Sequence, residues 1–145
     1  HAHLVLLSAT TSRSSVLVGA APGGTSSLTV MRLLHQLDGA LPLWPFDPVP
    51  DGGPVIVEIY TTVAALAVGQ PKGRSKVRDR AGLKQALAKL DTPVPARLAR
   101  YDDHSTDALI TAAWMKREAP NPALWNPPAM TDEIAQKEGW TFGVV

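Results

Sequence analysis

The sequence contains no cysteine, which excludes disulfide bonds and thiolate ligands for a metal ion. No apolar run approaches the roughly 20 residues needed to span a bilayer, and the chain does not open with the basic segment of a signal peptide. Excess charge is also lacking, since the formal net charge of +1 is too small to require a nucleic acid or a membrane as partner. We therefore expect a cytoplasmic protein with no membrane partner.

The composition is that of ordinary globular material, with 45% hydrophobic and 19% charged residues in a chain of 145. This length suits one modest core, and no linker or shift in composition marks a boundary. We predict a single domain over residues 1–145.

Short β-rich runs alternate with helical patterns, an order that predicts an α/β domain. The clearest strand is PVIVEIY, residues 54–60, whose apolar residues lie on both alternating faces, as in a central strand covered on both sides. Further strands are predicted at 3–7, 15–19, 41–46 and 140–145, and the two prolines of 41–46 place that strand near an edge of the sheet. Helices are predicted at 27–39 (capped by Ser26 or Ser27 and ended by Gly39), 61–69 (capped by Thr61 or Thr62), 104–118 and 131–139 (capped by Thr131). Within 72–91, a basic segment leads into an amphipathic helix with a leucine stripe of Leu83, Leu87 and Leu90.

Glu58 interrupts the apolar strand and is the first candidate for chemistry. A buried carboxylate is costly unless something positive compensates it. Two interpretations stay open: a glutamate at a strand end that reaches water or an arginine, or a ligand in a functional site.

The stretch YDDHSTDALITAAW, residues 101–114, places three aspartates and a histidine at the start of a predicted helix. One of Asp102 and Asp103 is predicted to be the N-cap, a role that aspartate fills well. Asp107 shares a helix face with residues 110, 111 and 114, on the side that should pack against the sheet. The alternative is that Asp107 only favours the positive end of the helix dipole.

Pairs in this stretch have the spacing of neighbours on a helix. Asp103 and Asp107 are four residues apart, and His104 and Asp107 are three apart, so each pair can face one point. Converging carboxylates repel each other unless a divalent cation neutralises them, and oxygen-rich sites suit Mg²⁺ or Mn²⁺. Two such ions about 4 Å apart can activate water and stabilise the leaving oxygen in phosphodiester hydrolysis.

An ordered series of segments resembles one protein family over most of the chain, from about Gly19 to Val144. The segments are LTVMRLLHQL, LWPFD, VIVEIY, DDHSTDALITAAW and EGWTFGV. Together they are similar to domain-of-unknown-function family 429, a group of predicted RNase H-like nucleases. In addition, HSTDALITAAW is similar to the last acidic motif of Holliday-junction resolvases of that fold.

The resemblance implies an RNase H-like mixed sheet flanked by helices. By position, Glu58 would be the acid on the strand, Asp107 the acid on the helix, and Asp103 or His104 an auxiliary ligand. Thr61 departs from the family, which usually has proline at this place. The fold's first ligand, an aspartate on the first strand, has no counterpart, since the first aspartate of this sequence is Asp38. The chain therefore looks like the C-terminal portion of such a nuclease, or a variant with an incomplete site.

Two other segments have weaker signals. GAAPGGTS has the glycine spacing of a phosphate loop between Gly19 and Gly24, but threonine replaces the lysine, so a flexible turn is favoured. A run of alternating basic residues could contact the phosphates of nucleic acid or form a solvated surface. The residues of this run are Lys72, Arg74, Lys76, Arg78 and Arg80.

The leading hypothesis is a divalent-metal-dependent nuclease, a hydrolase whose catalytic acids are Glu58, Asp107 and Asp103, with His104 as a further ligand. We expect Mg²⁺ or Mn²⁺ to bind weakly and this chain alone to be inactive, because the first acid is missing. The alternative is a catalytically silent RNase H-like module that binds or scaffolds.

Overall fold

The computed structural model describes residues 4–7, 22–71 and 77–145, which divide into two compact units. The first, here the sheet unit, contains the described residues up to Tyr60 together with Ala123–Val145. The second, the helical unit, is Thr61–Pro122. The single domain predicted for 1–145 stays a prediction, since two compact units can belong to one domain.

The sheet unit is built on a parallel sheet whose centre is the strand predicted most clearly. Strands β1, β2 and β4 all pair with β3 in parallel, and four of the five residues of β3 are buried. The α/β class and the central position of β3 are thereby confirmed. The strands are β1 (Leu4–Leu7), β2 (Leu43–Trp44), β3 (Val55–Ile59) and β4 (Thr141–Phe142).

Strand β2 lies at one end of the order β1-β3-β2, as its flanking prolines predicted. It pairs with β3 through Leu43 and Trp44 only. The strand predicted at 15–19 lies outside the described residues.

Helix α1 spans Pro22–Leu37, so two predictions at its start are wrong. The helix begins before Ser26 and Ser27, which therefore do not cap it, and residues 22–27 are helical rather than part of a glycine-rich turn. Proline suits the first helical position because its fixed φ is already helical and its missing N–H has no partner to lose there. The predicted end is confirmed, since the chain leaves the helix through Asp38 and Gly39, both with positive φ.

Helix α5, Asp132–Lys137, begins as predicted. The Thr131 side chain accepts a hydrogen bond from the backbone N–H of Ile134, and Asp132 and Glu133 lie in the first turn, near the positive end of the helix dipole.

Aromatic side chains fill the interior of the sheet unit. Trp44 meets Trp125 and Phe142 edge-on, with ring centroids 5.7 and 5.8 Å away. The indole N–H of Trp44 donates to the carbonyl oxygen of Trp125 at 3.2 Å, which satisfies the polar atom that burial would otherwise strand. Trp44 is thus a core residue, and Trp125 is half-buried beside it.

The helical unit contains α2 (Thr61–Ala67), α3 (Arg80–Ala88) and α4 (Asp103–Glu118), with α4 packed against both of the others. A short 3-10 turn follows at Pro122–Leu124. The predicted leucine stripe is confirmed, because Leu83, Leu87 and Leu90 are buried.

The predicted cap of α2 is wrong, since Thr61 is its first helical residue and Thr62 its second. Among the helices of the described ranges, none combines the length and apolarity that crossing a membrane requires.

Candidate functional site

Glu58 lies one residue before the end of β3, on the central strand of the parallel sheet. It is in register with Leu7 of β1 and with Thr141 of β4, and it shares its face of the strand with the buried Ile56. In open parallel sheets, the carboxyl ends of the strands form the edge at which ligands bind. Glu58 therefore lies near the edge at which sheets of this kind commonly bind ligands.

Burial raises the pKa of Glu58 above its usual 4.5. The side chain is half-buried, and no described residue supplies a charge or a hydrogen bond that lowers the pKa again. The structure thus keeps a carboxylate where the ionised form is disfavoured, while the other residues of β3 are buried and apolar. No described arginine pairs with Glu58, but its place near the strand end and its half-burial agree with the alternative in which the side chain reaches water.

Asp102 is the residue that caps α4. Its Oδ1 accepts a hydrogen bond from the backbone N–H of Ser105 at 2.8 Å, and its backbone is extended, as at an N-cap. Hydrogen bonds from Ser105 hold the pKa of Asp102 below its usual value, with Arg100 adding to the effect. The prediction that one of the two neighbouring aspartates caps the helix is confirmed.

Asp103, the predicted auxiliary ligand, forms a two-point ion pair with Arg78. Arg78 Nε donates to Oδ1 at 2.9 Å and Nη2 donates to Oδ2 at 3.2 Å, and the pair raises the pKa of Arg78. Both carboxylate oxygens are therefore engaged by a cation of the protein itself. A metal ion at Asp103 would have to compete with this guanidinium.

The buried Thr106 fastens the segment before Arg78 to α4. Its hydroxyl lies 2.7 Å from the carbonyl oxygen of Val77 and 2.9 Å from that of Asp102. The ion pair of Arg78 with Asp103 follows at the next residue, so two consecutive residues of the segment are held by the first turn of α4.

Asp107 and His104 lie in the first two turns of α4. Asp107 is half-buried and His104 exposed, while Ile110, Thr111 and Trp114 further along the face of Asp107 are buried. The helix face that Asp107 was predicted to share is buried at Ile110 and Trp114, and its packing against the sheet stays a prediction. Glu58 belongs to the sheet unit and Asp107 to the helical unit, and their convergence on one ion stays a prediction.

Arg78 and Arg80, from the predicted basic run, have contacts within the protein. Arg80 Nη1 donates to the Tyr101 hydroxyl at 3.2 Å and to the Pro95 carbonyl at 3.3 Å. Lys72, Arg74 and Lys76 lie outside the described residues.

The sequence analysis did not assign a role to Arg100 or Tyr101, although Arg100 lies beside Asp102 and Tyr101 accepts a hydrogen bond from Arg80. Their position directly before Asp102, next to the aspartates, could have indicated them.

Within residues 4–7, 22–71 and 77–145, no three histidine, aspartate or glutamate side chains are grouped to hold a metal ion. Carboxylate oxygens are the ligands that Mg²⁺ and Mn²⁺ prefer, so each of the two acids, Glu58 and Asp107, could contribute one, and the weak metal site stays a prediction.

Comparisons of the chain with protein-family models, with curated proteins and with solved structures give no match. The resemblance to domain-of-unknown-function family 429 and the assignment to the RNase H-like fold therefore stay predictions from the sequence.

Proposed function

We propose that this chain is a divalent-metal-dependent nuclease-like domain of the RNase H-like type, which acts on the phosphodiester bonds of nucleic acids. The observation that supports this best is Glu58, a half-buried carboxylate near the carboxyl end of the central strand of a parallel sheet. Burial raises its pKa, so the ionised side chain costs free energy in this position. A bound divalent cation would remove that cost.

Glu58 and Asp107 are the residues that would hold the metal ion, with His104 within reach of Asp107 along the helix. A bound Mg²⁺ or Mn²⁺ would supply a Lewis acid for the phosphoryl group and lower the pKa of a water molecule. The protein would orient the ionised carboxylates, and the bound cation would neutralise the repulsion between them. Asp103 is a weaker candidate, because Arg78 already engages both of its oxygens.

The site lacks an acid at the position where β1 passes Glu58. The register places Leu7 beside Glu58, and Leu7 can neither bind an ion nor bridge two. Two-metal hydrolysis uses a shared ligand to hold both ions. We therefore expect weak metal binding, of millimolar order, and no cleavage by this chain.

A second candidate function is that of a catalytically silent module that binds nucleic acid or serves as a scaffold. The presence of leucine at the β1 position and the ion pair between Asp103 and Arg78 both favour it. In that case Glu58 has no metal partner, and its replacement affects neither binding nor activity.

Restoring the missing acid separates the two candidates. Leu7→Asp should place a carboxylate in register with Glu58, and Mn²⁺ affinity measured by titration calorimetry should rise roughly tenfold or more. Leu7→Asn is the matched control, since asparagine has nearly the same shape as aspartate but carries no charge. Cleavage of single-stranded and duplex DNA and RNA in Mn²⁺ should appear with Leu7→Asp and disappear when Glu58→Gln is added.

The unmodified chain provides the complementary test. Cleavage by it that Glu58→Gln abolishes would show that the site is already complete. If Leu7→Asp leaves metal affinity unchanged in a protein with an unaltered circular dichroism spectrum, the metal site is wrong and the silent module is favoured.

A further inference from the structure

The two compact units differ strongly in charge. Thr61–Pro122 contains 11 Lys and Arg against 6 Asp and Glu, a formal charge of +5, and the rest of the chain contains 3 against 7, a formal charge of −4. The net charge of +1 therefore hides a basic unit and an acidic one. A concentrated positive charge attracts polyanions and accelerates their association.

Three consecutive residues just before and at the start of α4 each hold one arginine. The pairs are Arg80 with Tyr101, Arg100 with Asp102, and Arg78 with Asp103. Arg80 Nη1 donates to the Tyr101 hydroxyl at 3.2 Å, and Arg100 Nε lies 3.6 Å from Asp102 Oδ2. The three arginines are thus held by three neighbouring positions of the chain. Arg78, Arg80 and Arg100 are here called the arginine cluster.

Pairing with residues of the protein still leaves these arginines able to bind another acceptor. The side chains of Arg78 and Arg100 are 71% and 84% exposed. A guanidinium has five N–H donors, and Asp103 accepts two of those of Arg78, which leaves three for another acceptor. A side chain whose rotamer is already fixed loses less entropy when it binds.

We infer that the arginine cluster is a docking surface for the sugar-phosphate backbone of a single-stranded nucleic acid. A planar guanidinium can bind two phosphate oxygens at once, and the half-buried Tyr101 lies next to one of these guanidiniums, that of Arg80. Surfaces that bind single strands combine cations, which contact the phosphates, with aromatic rings, on which the bases stack. The inference extends the proposed function by naming how its substrate is held, but it requires no metal ion.

Binding of a fluorescent 20-nucleotide oligonucleotide to the full chain in EDTA tests the surface apart from any metal-dependent step. For the double variant Arg78→Gln/Arg100→Gln, the slope of log K against log salt should become shallower by about 1.4, because each phosphate contact on a single strand contributes about 0.7. The same relation gives an affinity loss of roughly 25-fold at 0.1 M salt. Lys116→Gln/Lys137→Gln removes the same charge elsewhere and should change the slope far less.

The lysine variant Arg78→Lys/Arg100→Lys guards against a folding artefact, since it keeps the charge and should largely retain the slope. Equal slopes for the glutamine double variant and its control would overturn the inference. Equally tight competition by polyglutamate would overturn it as well, by showing a surface for polyanions in general. Unchanged Mn²⁺ affinity in Leu7→Asp, together with weaker binding in EDTA by the glutamine double variant, would count against the nuclease proposal and leave this inference standing.

Discussion

Glu58 of the sheet unit and the aspartates at the start of α4 lie in opposite surroundings. Glu58 projects from an apolar strand, and burial raises its pKa. At the start of α4, hydrogen bonds from Ser105 lower the pKa of Asp102, and a guanidinium engages both oxygens of Asp103. The two aspartates have partners that favour their charge, whereas burial disfavours the charge of Glu58. This difference is the reason that the proposed metal site is built on Glu58.

The units also differ in what fills their interiors. The sheet unit packs three aromatic rings together, whereas the helical unit buries the leucines of α3 against capped helices. Burial of large apolar side chains stabilises more than exposed polar pairs do. Removing a buried ring from the sheet unit should therefore cost more than removing a cap from the helical unit.

The largest loss should follow Phe142→Ala, which removes a fully buried ring from contact with Trp44 and Trp125. We expect the free energy of unfolding to fall by about 3–5 kcal/mol, measured by urea denaturation. Val145→Ala, at a 78% exposed position, is the control and should have no measurable effect. A loss for Phe142→Ala below about 1 kcal/mol would contradict an aromatic core in the sheet unit.

A smaller loss should follow Asp102→Ala, because the first turn of α4 loses its cap. The melting temperature at pH 7 should fall by a few degrees. Because the folded pKa of Asp102 is lowered, its contribution is present above the usual value of 3.8 and is lost as the pH falls through the lower folded value. Wild type and variant should therefore converge in acid, and a difference that stays constant down to acidic pH would refute the assignment of the cap.

Glu58→Gln should raise the stability of the folded protein at pH 7, whereas Asp102→Ala lowers it. The folded pKa of Glu58 is raised, so the folded protein retains the proton longer and its stability falls as pH rises from 4.5 through the raised value. The variant should match wild type at pH 4 and exceed it at pH 7, by at most about 1 kcal/mol after solvent screening. Thermal melts without metal at both pH values measure this. A destabilised variant at pH 7 would mean that the carboxylate has a stabilising partner.

The smallest effect is expected for Asp107→Asn, which keeps the shape of the side chain and removes charge from a stretch that already contains Asp102 and Asp103. Functional acids are commonly held at a cost to stability, so the melting temperature without metal should be unchanged or slightly higher. Mn²⁺ should raise the melting temperature of wild type more than that of the variant. A variant that melts several degrees lower would indicate a structural role for Asp107.

Local patterns determined most of what the sequence could predict. The apolar run in PVIVEIY predicted β3, and the spacing of the leucines predicted α3. Thr131 predicted the start of α5. The start of α1 was missed because two glycines follow Pro22, and glycine favours turns when no neighbour is known.

The candidate site was predictable only in part. Glu58 was found because a charge inside an apolar strand has few ordinary explanations, and the cap of α4 was narrowed to two aspartates. The ion pair between Arg78 and Asp103 joins residues 25 positions apart, so no local pattern encodes it. The same holds for the neighbourhood of Arg80 and Tyr101, which depends on how α3 and α4 pack.

The pairing of β4 with β3 has a consequence for synthesis. Ile59 is in register with Phe142, so the 82 residues between them must be made before this pairing can form. At about 5–20 residues per second, the ribosome needs roughly 4–16 s for that stretch. During this time the whole helical unit has been synthesised and can fold through its own local contacts. The nascent sheet unit meanwhile exposes the end of an apolar strand, which makes it the part of the chain for which a chaperone would matter most.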